Sequence, residues 1–405
     1  MSATTLQFDP MDLEFLQDPY PTFRRLRNEA PLHFTDFAGG FWLATRYSDL
    51  STIMRDTSLQ NGREGSQHFA RLDGGPAERF SPSILNQLDG ERHARIRKVG
   101  ERALSRRALV ESIGPQLDKL ADEAVDRALE AEEIDAFADF AHDVPLKAFC
   151  RLLDLPDQDR HMLYGWITDF FGIFVPEALD ADGIARTHLA VQNFIDYLAP
   201  VVAARRASPG NDVLSMFVTA ESDGQRLTDD EVMTLVTQTM AGGFDTSSAM
   251  IAAAVHCLAA APEQMNRLRR DPRGSASAAV AEVLRWESPV QMTPRYATSE
   301  IEIAGVVLPV GARIGCVVAS ANRDETAFDK PDRFVIDRAG APALHFGGGP
   351  HFCIGNQLAR LEGEAILQSL ARKCARIEPT GESERVITTM VRRGFAKVPV
   401  RFHPA

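Results

Sequence analysis

One stretch limits what this chain can become more than any other. Residues 228–260 carry a single helical pattern, opened by Thr228 with Asp229, Asp230 and Glu231 behind it and closed before Pro262. A threonine cap followed by acids in the first turn is a strong helix start, and the proline marks its end. At 1.5 Å per residue the helix is on the order of 45 Å long. A helix of that length crosses a whole domain, so the rest of the chain must wrap it. Gln238, Asp245 and several threonines interrupt its apolar character, which excludes a membrane span. Its middle reads Ala241, Gly242, Gly243, Phe244, Asp245, Thr246. Each mid-helix glycine costs roughly 1 kcal/mol against alanine, so something must compensate. Asp245 and Thr246 are suited to local hydrogen bonds that open the helix in a wide turn; a simple kink is the plainer reading. On helical spacing Gln238, Ala241 or Gly242, and Asp245 share a face, which makes Gln238 a candidate pocket-lining group, a core amide being the alternative.

A second stretch has chemistry of its own. Residues 346–355 read Phe346, Gly347, Gly348, Gly349, Pro350, His351, Phe352, Cys353, Ile354, Gly355. Gly347 and Gly349 remove side chains so that backbone can lie against a flat object, and Pro350 fixes the turn. Cys353 stands just before a run of helix formers from Asn356 to Glu362. A cysteine at a helix N-terminus has its thiolate favoured by the dipole and by unpaired N–H groups, and Phe346 can shield the sulfur from water. The plain alternative is a buried cysteine beside a glycine turn.

With the aromatic, the glycines, His351 and Cys353 in this spacing, the chain resembles the cytochrome P450 family. The resemblance covers nearly the whole chain after about residue 10. It implies a mainly α fold with small β sheets, formed as a single large domain over residues 1–405, with the residues before about 10 a loose arm. It implies haem b held by the thiolate of Cys353. Gly242 would let the long helix lie over the haem, and Asp245 and Thr246 would deliver protons during oxygen activation, where positioned acids and hydroxyls are needed and water is otherwise kept away. His93 and Arg97, four apart in the basic stretch 91–107, would anchor a haem propionate, and Arg295 and His351 would join them. Glu282 and Arg285 would brace the fold together with a downstream Arg or His. The pocket would be edged by Val290 and Thr293, by the polar loop of residues 57–88, by Phe170, Phe171 and Phe174, and by the turn at residues 391–395. The family often has two prolines where this chain has Asp89, Gly90 and Glu91, which leaves that helix start less rigid.

Composition bounds the partners. A net charge of −12 argues against nucleic acid, although the remaining basic residues of the 91–107 stretch suit an acidic redox partner. The five cysteines are scattered without a zinc-ligand pair, and the start has no basic patch with an apolar run behind it. A cytoplasmic monomer without a membrane anchor is expected. Its reaction would be insertion of one atom of dioxygen into a small or medium apolar organic substrate by hydroxylation or O-dealkylation. Electrons would come from NAD(P)H through a ferredoxin or flavodoxin plus a reductase. A peroxide-driven peroxygenase is the alternative within enzymes, and Asp245 and Thr246 argue against it. A haem-binding sensor without turnover is the alternative outside them.

Coarser patterns complete the reading. Residues 32–34 and 41–44 read as a hairpin. Helical composition recurs at 116–131, 145–155 and 184–206, and residues 296–298 and 301–303 alternate like paired strands.

Overall fold

The Asp229–Ala260 helix forms as its sequence directs. Thr228 Oγ1 accepts from the Glu231 amide at 3.2 Å while the Glu231 carboxylate accepts from the Thr228 amide at 3.1 Å, a reciprocal capping box. Beyond Ala260 the chain bends by 106° into the Pro262–Arg270 helix. Nearly every turn of the long helix is buried, because the helices Asp143–Leu152, Ala181–Ala207, Pro272–Trp286 and Asn356–Lys373 pack around it. The structure is a computed structural model, and it describes residues 8–62, 69–174, 176, 179–222, 224–387 and 389–405.

The expected opening of this helix is not seen. It runs as one uninterrupted α-helix through Gly242 and Gly243, without a wide turn. Thr246 Oγ1 donates to the Gly242 carbonyl at 2.7 Å, so the hydroxyl is satisfied within the helix instead of displacing its backbone bonds. The compensation for Gly243 is packing: a Cβ there would lie 2.2 Å from the Phe149 ring.

The sheets are small. The largest has five strands in the order Leu32–Thr35, Phe41–Ala44, Arg313–Cys316, Thr293–Ala297, Leu59–Gln60. Its first pair is the expected hairpin, with Leu32 opposite Ala44. The second expected hairpin is corrected. Thr293–Ala297 pairs with Arg313–Cys316, and Ile301–Ile303 pairs instead with Val306–Leu308. The intervening Ala304 and Gly305 both have positive φ, the geometry of a tight two-residue hairpin turn that an alanine conceals in sequence.

Two loop readings are partly refined. Within 57–88, residues 63–68 lie outside the described residues, and the remainder holds the strand Leu59–Gln60 and the short helices Phe69–Leu72 and Pro76–Phe80. Of the expected loose arm, residues 1–7 lie outside the described residues, while the Phe8 ring packs edge-on against Phe15. Among the described residues no single helix is long and apolar enough to cross a membrane.

Glu282 and Arg285 form a two-point ion pair at 2.7 and 2.8 Å, both side chains 2% exposed. The downstream partner is Arg338, whose Nε reaches Glu282 at 3.1 Å. Arg285 also donates to the carbonyls of Asn322, Pro331 and Arg333. This cluster pins the irregular segment that leads into the cysteine loop.

Candidate functional site

Residues 346–355 fold back on themselves. The Cys353 amide donates to the Phe346 carbonyl at 2.8 Å, and Gly347 and Gly349 take φ of 74° and 64°. Gly349 has a second reason to be glycine, since a Cβ would lie 2.2 Å from the Met54 carbonyl oxygen. The Asn356–Lys373 helix starts three residues beyond Cys353. Burial pushes the Cys353 thiol up, and the amides of Gly355 and Asn356 and the Arg97 guanidinium pull it back. Those groups are the ones a thiolate would use. Phe346 is flanked by His345, 4.5 Å between ring centres, and by Arg360 over its face.

The long helix has a bare wall of its own. Gly242 is exposed although the helix around it is buried, and a Cβ built there would meet no atom within 4 Å. Asp245 and Thr246, on the next turn, also keep free surface. Gln238 is partly exposed on the same side, and its Oε1 has no partner. The aromatic cluster divides. Phe170 is fully buried against Phe80 and Phe194, a core residue, whereas Phe171 is half-buried with the Arg392 guanidinium 4.4 Å over its ring. Arg392 is ion-paired with Asp245.

At a third point four expected residues converge. The rings of His93 and His351 stack at 4.2 Å. His351 Nε2 is 2.8 Å from Asp89, whose carboxylate also accepts from the amides of Gly62 and Asn61. Arg295, buried, donates to the Asn61 side-chain oxygen at 2.9 Å. Arg97 donates to the Phe352 carbonyl at 2.5 Å and to Glu101 at 2.7 Å, so it ties the Gly90–Ala103 helix to the cysteine loop. Burial, then the positive charge near His351 and Arg97, lowers His93 to about 4, and its Nε2 has no partner. Burial would raise Asp89, but its bonds to His351, Gly62 and Asn61 hold it below the usual carboxylate range.

These residues fit a flat cofactor that carries acid groups. There is a sulfur with amides aimed at it, a helix wall with no side chain at Gly242, and a rim of buried cationic and histidine side chains, one with an orphaned nitrogen. Sequence reasoning missed three residues: Asn61 and Asp89, which organise the rim, and Arg392, which holds Asp245. Asp89 was visible as a departure in motif, and Arg392 as half of a tandem arginine in a turn already suspected of edging the pocket.

Comparison with known proteins identifies the family. The family description Cytochrome P450 matches residues 167–273 and 275–402. CYP199A2 of Rhodopseudomonas palustris is 33% identical over 406 residues, covering 99% of this chain and 95% of that protein. The 6-deoxyerythronolide B hydroxylase of Saccharopolyspora erythraea is 29% identical, covering 96% of this chain and 98% of that one. The structure of epothilone D-bound cytochrome P450epoK superposes with a TM-score of 0.89 at 28% identity, over 99% of this chain and all of that one. The chain therefore belongs to the cytochrome P450 family.

Proposed function

We propose that this haem monooxygenase of the cytochrome P450 family binds haem b through Cys353 and inserts one atom of dioxygen into a small or medium apolar organic substrate, by hydroxylation or O-dealkylation. Electrons come from NAD(P)H through a ferredoxin or flavodoxin and its reductase, and the protein acts as a cytoplasmic monomer. The observation that carries this reading is Cys353, partly buried with the amides of Gly355 and Asn356 beside its sulfur, in a chain whose long helix is left bare at Gly242. The names of a relative that hydroxylates 6-deoxyerythronolide B and of a structural neighbour that holds epothilone D support an organic substrate.

The haem, when bound, supplies oxygen activation, and its thiolate ligand feeds that chemistry electron density. The chain's own residues do the rest. His93, Arg97, Arg295 and His351 anchor the propionates, with Asn61 and Asp89 orienting them. Phe346 keeps water from the sulfur. The Thr246 hydroxyl, held on the Gly242 carbonyl, and the Asp245 carboxylate beside it pass protons into a pocket that otherwise excludes water. Val290, Thr293 and Phe171 edge that pocket.

The test is spectroscopic. The reduced protein with carbon monoxide is expected to show the red-shifted Soret band of thiolate ligation, and Cys353→Ser to abolish it while haem is retained. A band unchanged in the serine variant would remove Cys353 as the ligand.

A further inference from the structure

The tandem arginines of the 391–395 turn diverge. Arg393 is buried and engaged elsewhere: it donates to the carbonyls of Leu16 and Gln17, and its Nε, which makes no hydrogen bond, lies 3.4 Å from the Glu287 carboxylate. Arg392 points the other way, toward the long helix. Among the described residues it meets one counter-charge, the carboxylate of Asp245, and one aromatic face, that of Phe171. The backbone of the turn is fixed there by the bridge between Arg392 and Val290 and by the Gln291 amide on the Val391 carbonyl, so the guanidinium is delivered by a rigid support. Surroundings dense enough to lower its basicity by burial still leave 33% of its side-chain surface free, with 30% free on Asp245.

This places a permanent cation beside the helix turn that holds Gly242 and Thr246, and it places the acid of the proton path in that cation's grip. A carboxylate held by a guanidinium cannot at the same time turn to serve its neighbour Thr246. The two functions are compatible if another anion can take over the arginine. A guanidinium presents a planar fork that matches a carboxylate at two points, and exchanging one carboxylate for another leaves its charge compensated throughout. Phe171, stacked on the same guanidinium, offers an apolar wall to the remainder of such a ligand.

We propose that Arg392 is the substrate-recognition residue of the pocket. It binds the carboxylate of an organic monocarboxylic acid, which displaces Asp245 from the ion pair and frees it beside Thr246. The proposal rests on the monooxygenase reading above and narrows its substrate class from apolar compounds to amphipathic acids. A neutral ligand leaves Asp245 engaged.

The experiment uses haem-loaded protein whose carbon monoxide complex shows the thiolate band; absence of that band would defeat the monooxygenase reading, and the calorimetric comparison below would still decide for or against the arginine. Cinnamate, 4-phenylbutanoate, 2-naphthoate and decanoate are each titrated against the matching primary amide, with affinity read from the ligand-induced Soret shift and from calorimetry. At least one acid is expected to bind tenfold or more tightly than its amide. Arg392→Gln is expected to erase that preference and Arg392→Lys to keep part of it. Asp245→Asn, which removes the competing anion, is expected to tighten the acid threefold or more in the wild-type background and not in Arg392→Gln. Equal affinity for acid and amide across all four pairs would overturn the proposal. So would a preference for the acid that survives Arg392→Gln.

Discussion

Two carboxylate–arginine contacts, on the cysteine-loop side and on the helix side of the site, use the same chemistry at different depths. Glu282 and Arg285 are both 2% exposed, and every direction around them is filled: Arg338 and the Val335 amide complete Glu282, and three carbonyls complete Arg285. Asp245 and Arg392 are about a third exposed and hold little besides each other and the Phe171 ring. Depth decides what such a pair can do. A saturated buried pair has no exchange partner and is costly to break, so it specifies the path of the chain. A half-open pair gains less and can be replaced by an incoming ligand.

The largest expected effect is on the saturated pair. Arg285→Ala leaves Glu282 buried with Arg338 as its remaining cation and takes the donor from the carbonyls of Asn322 and Pro331, while the Arg333 carbonyl keeps Arg338, so stability should fall by about 3–5 kcal/mol in urea denaturation. A loss under about 1 kcal/mol would break the contrast, because it would put the buried brace in the range of a surface pair. A third carboxylate sharpens it further. Glu362 is 0% exposed, and among the described residues its carboxyl group has Ser247 as its hydrogen-bond partner; burial pushes it up to about 8 from an ordinary 4.5. Between those values the native state keeps a proton that the unfolded chain has lost, so stability declines as pH rises through that window, by up to about 1.4 kcal/mol per pH unit. Glu287 is the opposite case. It too is buried, which alone would raise it, yet Arg385 and Arg393 bring it down to about 2, so its contribution is present above pH 4.5 and is lost on acidification toward 2. Glu362→Gln should remove the first dependence: its stability advantage over wild type is expected to grow from pH 5 to 8 in urea midpoints. An advantage that stays flat across that range would mean that Glu362 is ionised in the native state.

The difference between the two pairs also marks how far the sequence could be read. Motifs whose partners are local in the chain were legible: the threonine cap at Thr228 with acids behind it, the i,i+3 pair of Glu282 and Arg285, and the turn glycines ahead of Cys353. So was the mainly helical fold, since the long amphipathic runs and the family resemblance point the same way. Contacts set by tertiary packing were not. The glycines of the long helix suggested an interruption, because propensity cannot know that Phe149 needs the space at Gly243 or that the Thr246 hydroxyl bonds within the helix. The strand at 301–303 was paired with the wrong neighbour because Ala304 hides a left-handed turn. Arg392 lies 147 positions from Asp245, and no spacing rule spans such a distance. Depth, the property that separates the two pairs, has no local signature.

The smallest expected effect concerns the open pair, and it is the one that discriminates most. If Asp245 and Arg392 form an exchangeable contact, their mutual contribution to folding must be small, since an incoming acid has to displace it without unfolding the turn. A double-mutant cycle with Asp245→Asn, Arg392→Gln and the double variant should give a coupling of about 1 kcal/mol or less in urea denaturation, as for other pairs that retain solvent or cavity contact. The polarity of the site is preserved by both amides, so the cycle isolates charge from shape. A coupling of about 3 kcal/mol would place this pair with Glu282 and Arg285 as a brace. Depth would then have failed to distinguish the two sides of the site, and the carboxylate of Asp245 would be too tightly held to serve Thr246.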